Sequence, residues 1–250
     1  MRSLHLTSLW PHSFTPFTQK MSEVLRRTQE VSHLAEREYV LSSAAIVHQL
    51  RGEGNRAREH IERAITISKE LDLRFRLAWN AILWGWVLGE QGQVHEGIEQ
   101  TSQGLADYRH TGAQVTRPWF LALLAMMHGR LTAWEEAQQL MSEATAAMPE
   151  VGQYFYGAEI HRLKGELLLQ QSSDNQAEAE SCFQQAIAIA QNQQAKSLEL
   201  RAAIGLARLW QQQGKRQEAH DLLAPVYNWF TEGFDTADLQ EAKALLDALA

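Results

Sequence analysis

The chain has 250 residues, 45% of them hydrophobic and 21% charged, with a formal net charge of -7, one cysteine and five prolines. The acidic balance argues against a nucleic-acid groove as the main surface, and no stretch approaches the roughly 20 uninterrupted apolar residues of a bilayer crossing. The lone Cys182 excludes an internal disulfide framework and a cysteine-based zinc knuckle, leaving a reducing, cytoplasmic setting as the default.

Residues 1–20 differ from all that follows: they contain no acid, and His5, Thr7 and Pro11 interrupt what would have to be the apolar centre of a secretory signal. They read as a frayed N-terminus. A helical pattern begins at Ser22, and residues 21–37 are predicted as a single helix, half of a repeat. After Pro16 the next proline is Pro118, and the stretch between is rich in Ala, Leu, Glu, Gln and Arg, which predicts helix upon helix.

Residues 38–232 repeat themselves. The small residues Ala45, Gly85, Ala125, Gly165 and Ala207 are spaced 40, 40, 40 and 42 apart. A second row, Ala57, Gly97, Ala137, Ala179 and Ala219, is spaced 40, 40, 42 and 40. A third, Ala64, Gly104, Ala144, Ala186 and Val226, keeps the same register. The two-residue excess falls in a polar turn, QQSSDNQ, between Gly165 and Ala179. Small residues at fixed positions let paired helices approach closely, and Gly85 and Gly165 are expected to face a neighbouring backbone. Gly52, Gly92 and Gly214 lie in short turns and are expected to take the positive φ that ends a helix.

These residues resemble the tetratricopeptide repeat. The last repeat fits best, with Ala203, Leu206, Ala207 and Trp210, then Gly214, then Glu218, Ala219 and Leu223. Trp84-Gly85 with Gly92, Leu124-Ala125 with Ala137, and Gly165 with Ala179 and Phe183 follow the same scheme. The period of about 40 rather than 34 implies longer helices. The runs EIHRLKGELLL and AKSLELRAAIGLARLWQQQGKRQEAHDLLAPVYNWFTEGFDTADLQEAKALLDAL also resemble the C-terminal repeat region of bacterial signalling proteins that carry a nucleotide-cyclase-like or DNA-binding region and a signal-transduction ATPase domain. What the resemblance implies is an all-α, right-handed α-solenoid of five helix pairs over 38–232. A capping helix is predicted over 233–250, N-capped by Asp235 or Thr236 and burying Leu239, Ala242, Leu246 and Leu249.

Nothing in the pattern points to catalysis. There is no G-x-x-x-x-G-K-[ST] phosphate loop, and His95-Glu96 lacks the second histidine of an H-E-x-x-H zinc pair. His48 and His128 occupy equivalent repeat positions and read as packing residues, and Cys182 beside Phe183 reads as a buried thiol. No cofactor or metal is expected.

In the resembled architecture the first helix of each pair lines the concave side. The inward positions are then Tyr39 and Ile46, Trp79 and Trp86, Trp119 and Met126, Glu159 and Glu166, and Arg201 and Arg208, with Arg162 at a further inward position. This row is aromatic and apolar in its N-terminal half and charged in its C-terminal half. Two readings stand for the aromatics, ligand anchors or gap-fillers between first helices. Two stand for the charges: pairing with a partner's carboxylate, or with one another. The expected function is a non-catalytic binding module in signal transduction that holds a protein or peptide partner, an adjoining ATPase or regulatory domain among them, or a small-molecule effector. The rivals are a ligand-free oligomerisation element and a truncated remnant of a larger signalling protein.

Overall fold

The structure, a computed structural model, describes residues 33–148 and 156–250. The boundary expected at residue 37/38 lies inside the first described helix, and the rest of the predicted 21–37 helix and of the N-terminal 1–20 segment lies outside the described residues. Among the described residues eleven α-helices follow one another: α1 Leu34–Leu50, α2 Gly54–Glu70, α3 Arg74–Glu90, α4 Val94–His110, α5 Arg117–Arg130, α6 Trp134–Ala147, α7 Gly157–Gln171, α8 Gln176–Asn192, α9 Lys196–Gln212, α10 Arg216–Tyr227 and α11 Ala237–Leu249. They fall into two compact units, divided near residue 153.

In the N-terminal unit α1–α2, α3–α4 and α5–α6 form antiparallel pairs, and the first helices α1, α3 and α5 also touch in succession. The C-terminal unit repeats the scheme, with pairs α7–α8 and α9–α10 and first-helix contacts α7–α9 and α9–α11. Each unit is therefore a stack of helix pairs with a first-helix layer and a second-helix layer. The fold is an all-α repeat solenoid.

The 40-residue period is built from two nearly identical halves. Helices α1 to α4 are 17 residues long, and three-residue turns join them. Residues with positive φ recur at 52, 72, 92, 112 and 132, and again at 194 and 214, always 20 apart within each run. At most of these junctions two backbone hydrogen bonds close a Schellman turn: Gly52 N donates to Gln49 O and Glu53 N to His48 O, and the same pair recurs at Gly92/Gln93, Thr132/Ala133 and Gly214/Lys215. The expected glycines hold this geometry, with φ of 69° at Gly52, 86° at Gly92 and 79° at Gly214. Asp72, Thr132 and Gln194 hold it without being glycine. The residue after each of these turns starts the next helix with its own carbonyl, and none of the eleven described α-helices has a side-chain N-cap hydrogen bond. The QQSSDNQ junction turns differently. Ser172 is extended, a short 3-10 turn spans Ser173–Asn175, and the Asn175 amide donates to the Leu168 carbonyl at 3.1 Å.

The small-residue rows mark close approaches, of two kinds. A Cβ on Gly85 would lie 2.1 Å from Thr101 Oγ1 and 2.6 Å from the Gly97 carbonyl, so α3 and α4 meet backbone to backbone. At Gly165 the atoms nearest to an added Cβ are those of the Phe183 ring, at 2.9 Å, rather than the expected backbone, and Gly205 faces the same ring from α9 at 2.7 Å. Phe183 therefore fills a slot between two glycines at the centre of the C-terminal core, with Ala179, Ala186, Leu206 and Leu223 around it.

The terminal helix departs from expectation at two points. Thr236 stands at the N-cap position, but its hydroxyl donates back to the Gly233 carbonyl at 2.7 Å instead of accepting from the helix, and Asp235 makes no cap either. The buried side chains are Leu239, Ala242, Leu245 and Leu249; Leu246 is only half-buried at the edge.

Candidate binding face

The predicted inward row lies on α1, α3 and α5 in one unit and on α7 and α9 in the other. Each half follows from its own packing. Apolar residues recurring every three to four positions turn one side of each first helix to its second helix, and contacts with the next first helix bury much of the rest.

In the N-terminal unit the aromatics serve packing. Trp79 meets Phe120 edge-on at 5.1 Å between ring centroids and lies 6.2 Å from Tyr108, and Phe75 leans on both Trp79 and Tyr108. Tyr108 is anchored in turn by a 2.7 Å hydrogen bond between its hydroxyl and Thr116. Trp119, Trp86 and Ile46 are buried, so they do not offer an open anchor; Met126 is half-buried. Tyr39 alone of the aromatic half is well exposed, at 39%, and the Arg76 guanidinium sits 4.7 Å over its ring.

Beside Tyr39 lies a buried polar network that the row did not include. Glu38 Oε1 accepts hydrogen bonds from Ser42 at 2.5 Å and Asn80 at 2.9 Å, and Arg76 pairs with Oε2 at 3.3 Å. The Ser42 hydroxyl also lies 2.9 Å from Asn80 Oδ1. A signal for this network existed in the register. The positions equivalent to Glu38 are Ala78, Pro118, Ala158 and Leu200, and those equivalent to Asn80 are Val40, Phe120, Ile160 and Ala202. Two polar residues interrupt two otherwise apolar rows, and they meet across the α1–α3 seam.

In the C-terminal unit the charges satisfy one another. Buried Arg162 donates two hydrogen bonds to Glu159, at 2.7 and 2.8 Å, and pairs also with Glu166. Arg201 pairs with Glu159 at 2.9 Å and reaches Asp238 of α11 at 3.9 Å; Arg208 pairs with Glu241 at 2.6 Å. Burial pushes the Glu159 carboxyl up, but Arg162 and Arg201 outweigh it and hold its pKa below the usual carboxylate range. The same carboxylates raise the Arg162 pKa further against its burial. Burial raises Glu241, with Asp238 and Glu166 adding to it and Arg208 opposing. Three guanidiniums thus face four carboxylates, Glu159, Glu166, Asp238 and Glu241. The arginines expected to receive a partner's carboxylate already hold carboxylates of this chain. Asp238 and Glu241 were missed because α11 stands outside the repeat register, although it takes the place of the next first helix.

Among the described residues no group of three or more His, Cys, Asp or Glu side chains is placed to hold a metal ion, and no helix is long and apolar enough to cross a membrane. His48 is half-buried in α1, with its ring 5.1 Å from that of His60 and its Nδ1 2.5 Å from Glu53. Burial lowers the pKa of His128, and the Cys182 thiol is buried, its pKa raised by desolvation.

No protein-family model matches the chain. A search of curated proteins finds an uncharacterized protein of Rhizobium meliloti (strain 1021), 23% identical over 196 residues; the match covers 78% of this chain and 19% of that protein, so the chain spans about a fifth of its relative's length. Among solved structures, yeast Tom70 is similar with a TM-score of 0.57 at 14% identity, covering 94% of this chain and 43% of that one. BtubC of P. vanneervenii is similar with a TM-score of 0.54 at 18% identity, over 94% and 87% of the two chains. The nearly identical TPR-like repeats of a kinesin light chain of Podosopora anserina, in a single-substitution form, give 0.52 at 20% identity, over 78% and 95%. The chain has the helix-pair solenoid fold of these TPR-like repeat proteins.

Proposed function

We propose that the chain is a non-catalytic interaction module that holds a peptide or protein partner against its first-helix layer. The observation that carries the reading is what that layer leaves open to solvent in the C-terminal unit. Glu166, Arg208 and Glu241 stand on three successive first-layer helices, α7, α9 and α11, and the Arg208–Glu241 pair is about half exposed on its arginine side, at 53%. Exposed ion pairs are weakly held, so a partner's charges can exchange with them at small cost. Tyr39 with Arg76 offers a comparable aromatic-cationic position in the N-terminal unit.

The setting we propose is cytoplasmic bacterial signal transduction, with an ATPase or regulatory domain as the adjoining partner. Its support is the resemblance of the Glu159–Leu169 and Ala195–Leu249 runs to such proteins, together with a bacterial relative much longer than the matched region.

Panning a displayed dodecapeptide library against the folded chain tests the binding face. Selected peptides are expected to lose about tenfold or more in affinity on Tyr39→Ala or Arg208→Ala. Peptides that bind both variants like the parent chain would place the binding surface elsewhere.

A further inference from the structure

The C-terminal unit ends α10 in a turn that the repeat pattern does not require. Residues 229–235 read Trp-Phe-Thr-Glu-Gly-Phe-Asp. Two of the three rings in this turn are left in solvent, Trp229 at 43% and Phe234 at 48% exposed, whereas Phe230 is buried in the core. The exposed rings are held from beneath. Trp229 stands edge-on to Phe230 with centroids 5.2 Å apart, and Phe234 stands edge-on to Tyr227 at 5.9 Å. Tyr227 in turn packs against the same core. The backbone is fixed as well: Phe230 N donates to Tyr227 O at 3.1 Å, Gly233 turns with φ 80°, and Thr236 N and Oγ1 both donate to Gly233 O. Two large rings thus stand in water on a rigid platform, a placement that folding alone does not favour.

The charge on the turn itself is acidic, although Lys243 of α11 lies within electrostatic reach of Tyr227. Glu232 and Asp235 flank Phe234, both exposed, and neither has an ion-pair partner among the described residues. Asp238, one turn on, faces Arg201. The nearest basic side chain further along α11, Lys243, is held by Asp247 at 2.6 Å. Aromatic faces with uncompensated carboxylates beside them suit a cationic side chain, whose guanidinium or ammonium stacks on the ring while a carboxylate takes its N–H groups.

We propose that the 227–235 turn is a second docking site, separate from the first-helix layer, for an arginine- or lysine-rich segment of a partner protein. Trp229 and Phe234 supply the stacking faces, and Glu232 and Asp235 supply the counter-charge. An acidic segment is repelled by the same two carboxylates, and so is an anionic bilayer.

The test uses the full chain labelled with 5-fluorotryptophan, whose eight tryptophans give separate fluorine resonances, Trp229 being assigned with Trp229→Phe. Hexaarginine is expected to move the Trp229 resonance saturably and the other seven much less, and hexaglutamate to move none. The Glu232→Gln, Asp235→Asn double variant, which alters only exposed side chains and keeps the turn, is expected to weaken the effect about tenfold. Tyr39→Ala and Arg208→Ala are expected to leave it unchanged, so loss of the first-helix face and loss of this site are told apart. Four results would overturn the proposal: an unmoved Trp229; an equal response in the double variant; a Trp229 shift produced by raising the concentration of the chain alone, which would make the turn a self-association surface; or one produced by vesicles of phosphatidylcholine and phosphatidylglycerol, which would make it a lipid contact.

Discussion

Thr132 occupies the junction position that glycine fills at 52, 92 and 112, yet it holds φ at 57°. A β-branched residue in the left-handed region carries roughly 1–2 kcal/mol of strain, part of which glycine returns through its greater freedom when unfolded. Thr132→Gly is therefore expected to stabilise the chain by about 0.5–1 kcal/mol in chemical denaturation. A destabilised variant would show that the Thr132 side chain contributes more than its backbone costs. Gly85 is the opposite case. Its repeat equivalents are Ala45 and Ala125, which makes alanine look harmless there, but the added methyl would meet Thr101 Oγ1 at 2.1 Å and the Gly97 carbonyl at 2.6 Å. Gly85→Ala is expected to cost about 2 kcal/mol or more despite the gain in helix propensity. A Gly85→Ala chain with unchanged thermal unfolding would contradict the close α3–α4 approach.

Between elements, the seams that matter are polar, and they decide how stability responds to substitution and to pH. Glu159 joins α7 to α9 by pairing with both Arg162 and Arg201. Removing it leaves the buried Arg162 guanidinium without the carboxylate that takes two of its hydrogen bonds, so Glu159→Ala is expected to cost about 3 kcal/mol, and loss of the partly exposed Glu166 in Glu166→Ala under about 1 kcal/mol. Equal effects in a denaturation series would mean that the buried pair is not the stabilising one. Between α1 and α2 the stacked His48 and His60 face Glu53, Arg51, Arg56 and Arg63. Burial, with His48 and Arg63 adding to it, lowers the His60 pKa from 6.5 to about 4. The folded state thus binds fewer protons than the unfolded one in that interval. The stabilisation is complete above pH 6.5 and is lost as the pH falls toward 4, by about 1 kcal/mol after solvent screening. His60→Phe, which keeps a ring in the stack, is expected to flatten that part of the pH profile; a profile unchanged by the variant would remove His60 as its cause.

The same seams show what sequence reading reaches at this scale. Helix order, the small-residue rows and the turns at Gly52, Gly92 and Gly214 were legible because each follows from local periodicity and backbone freedom. The junctions at Asp72, Thr132 and Gln194 were not, since no residue type there announces a left-handed backbone; only the 20-residue spacing does. The first-helix row was legible as a set of positions, but its exposure was not. Whether Trp119 faces a groove or a neighbour depends on helix spacing, which a single chain's pattern leaves open, and it is buried. The arginine partners on α11 lay beyond the repeat altogether.

At the scale of the whole molecule, the described residues form two stacks of helix pairs, each with its own first-helix layer, and the binding proposed above lies on those layers. Repetition makes this economical: one packing solution places Glu166 and Arg208 at the same step after the small residues of their own helices, and α11 extends that layer with Glu241. Stability in such a stack is a sum of neighbour contacts, so exposed positions on the layer are free to vary with the partner. Hydrogen exchange of the full chain, with and without a peptide selected by panning, tests the central claim most directly. The account predicts slowed exchange in first-layer helices, α7, α9 and α11 or α1 and α3, with α2, α4, α6, α8 and α10 unaffected. Slowing confined to those second-layer helices would contradict it.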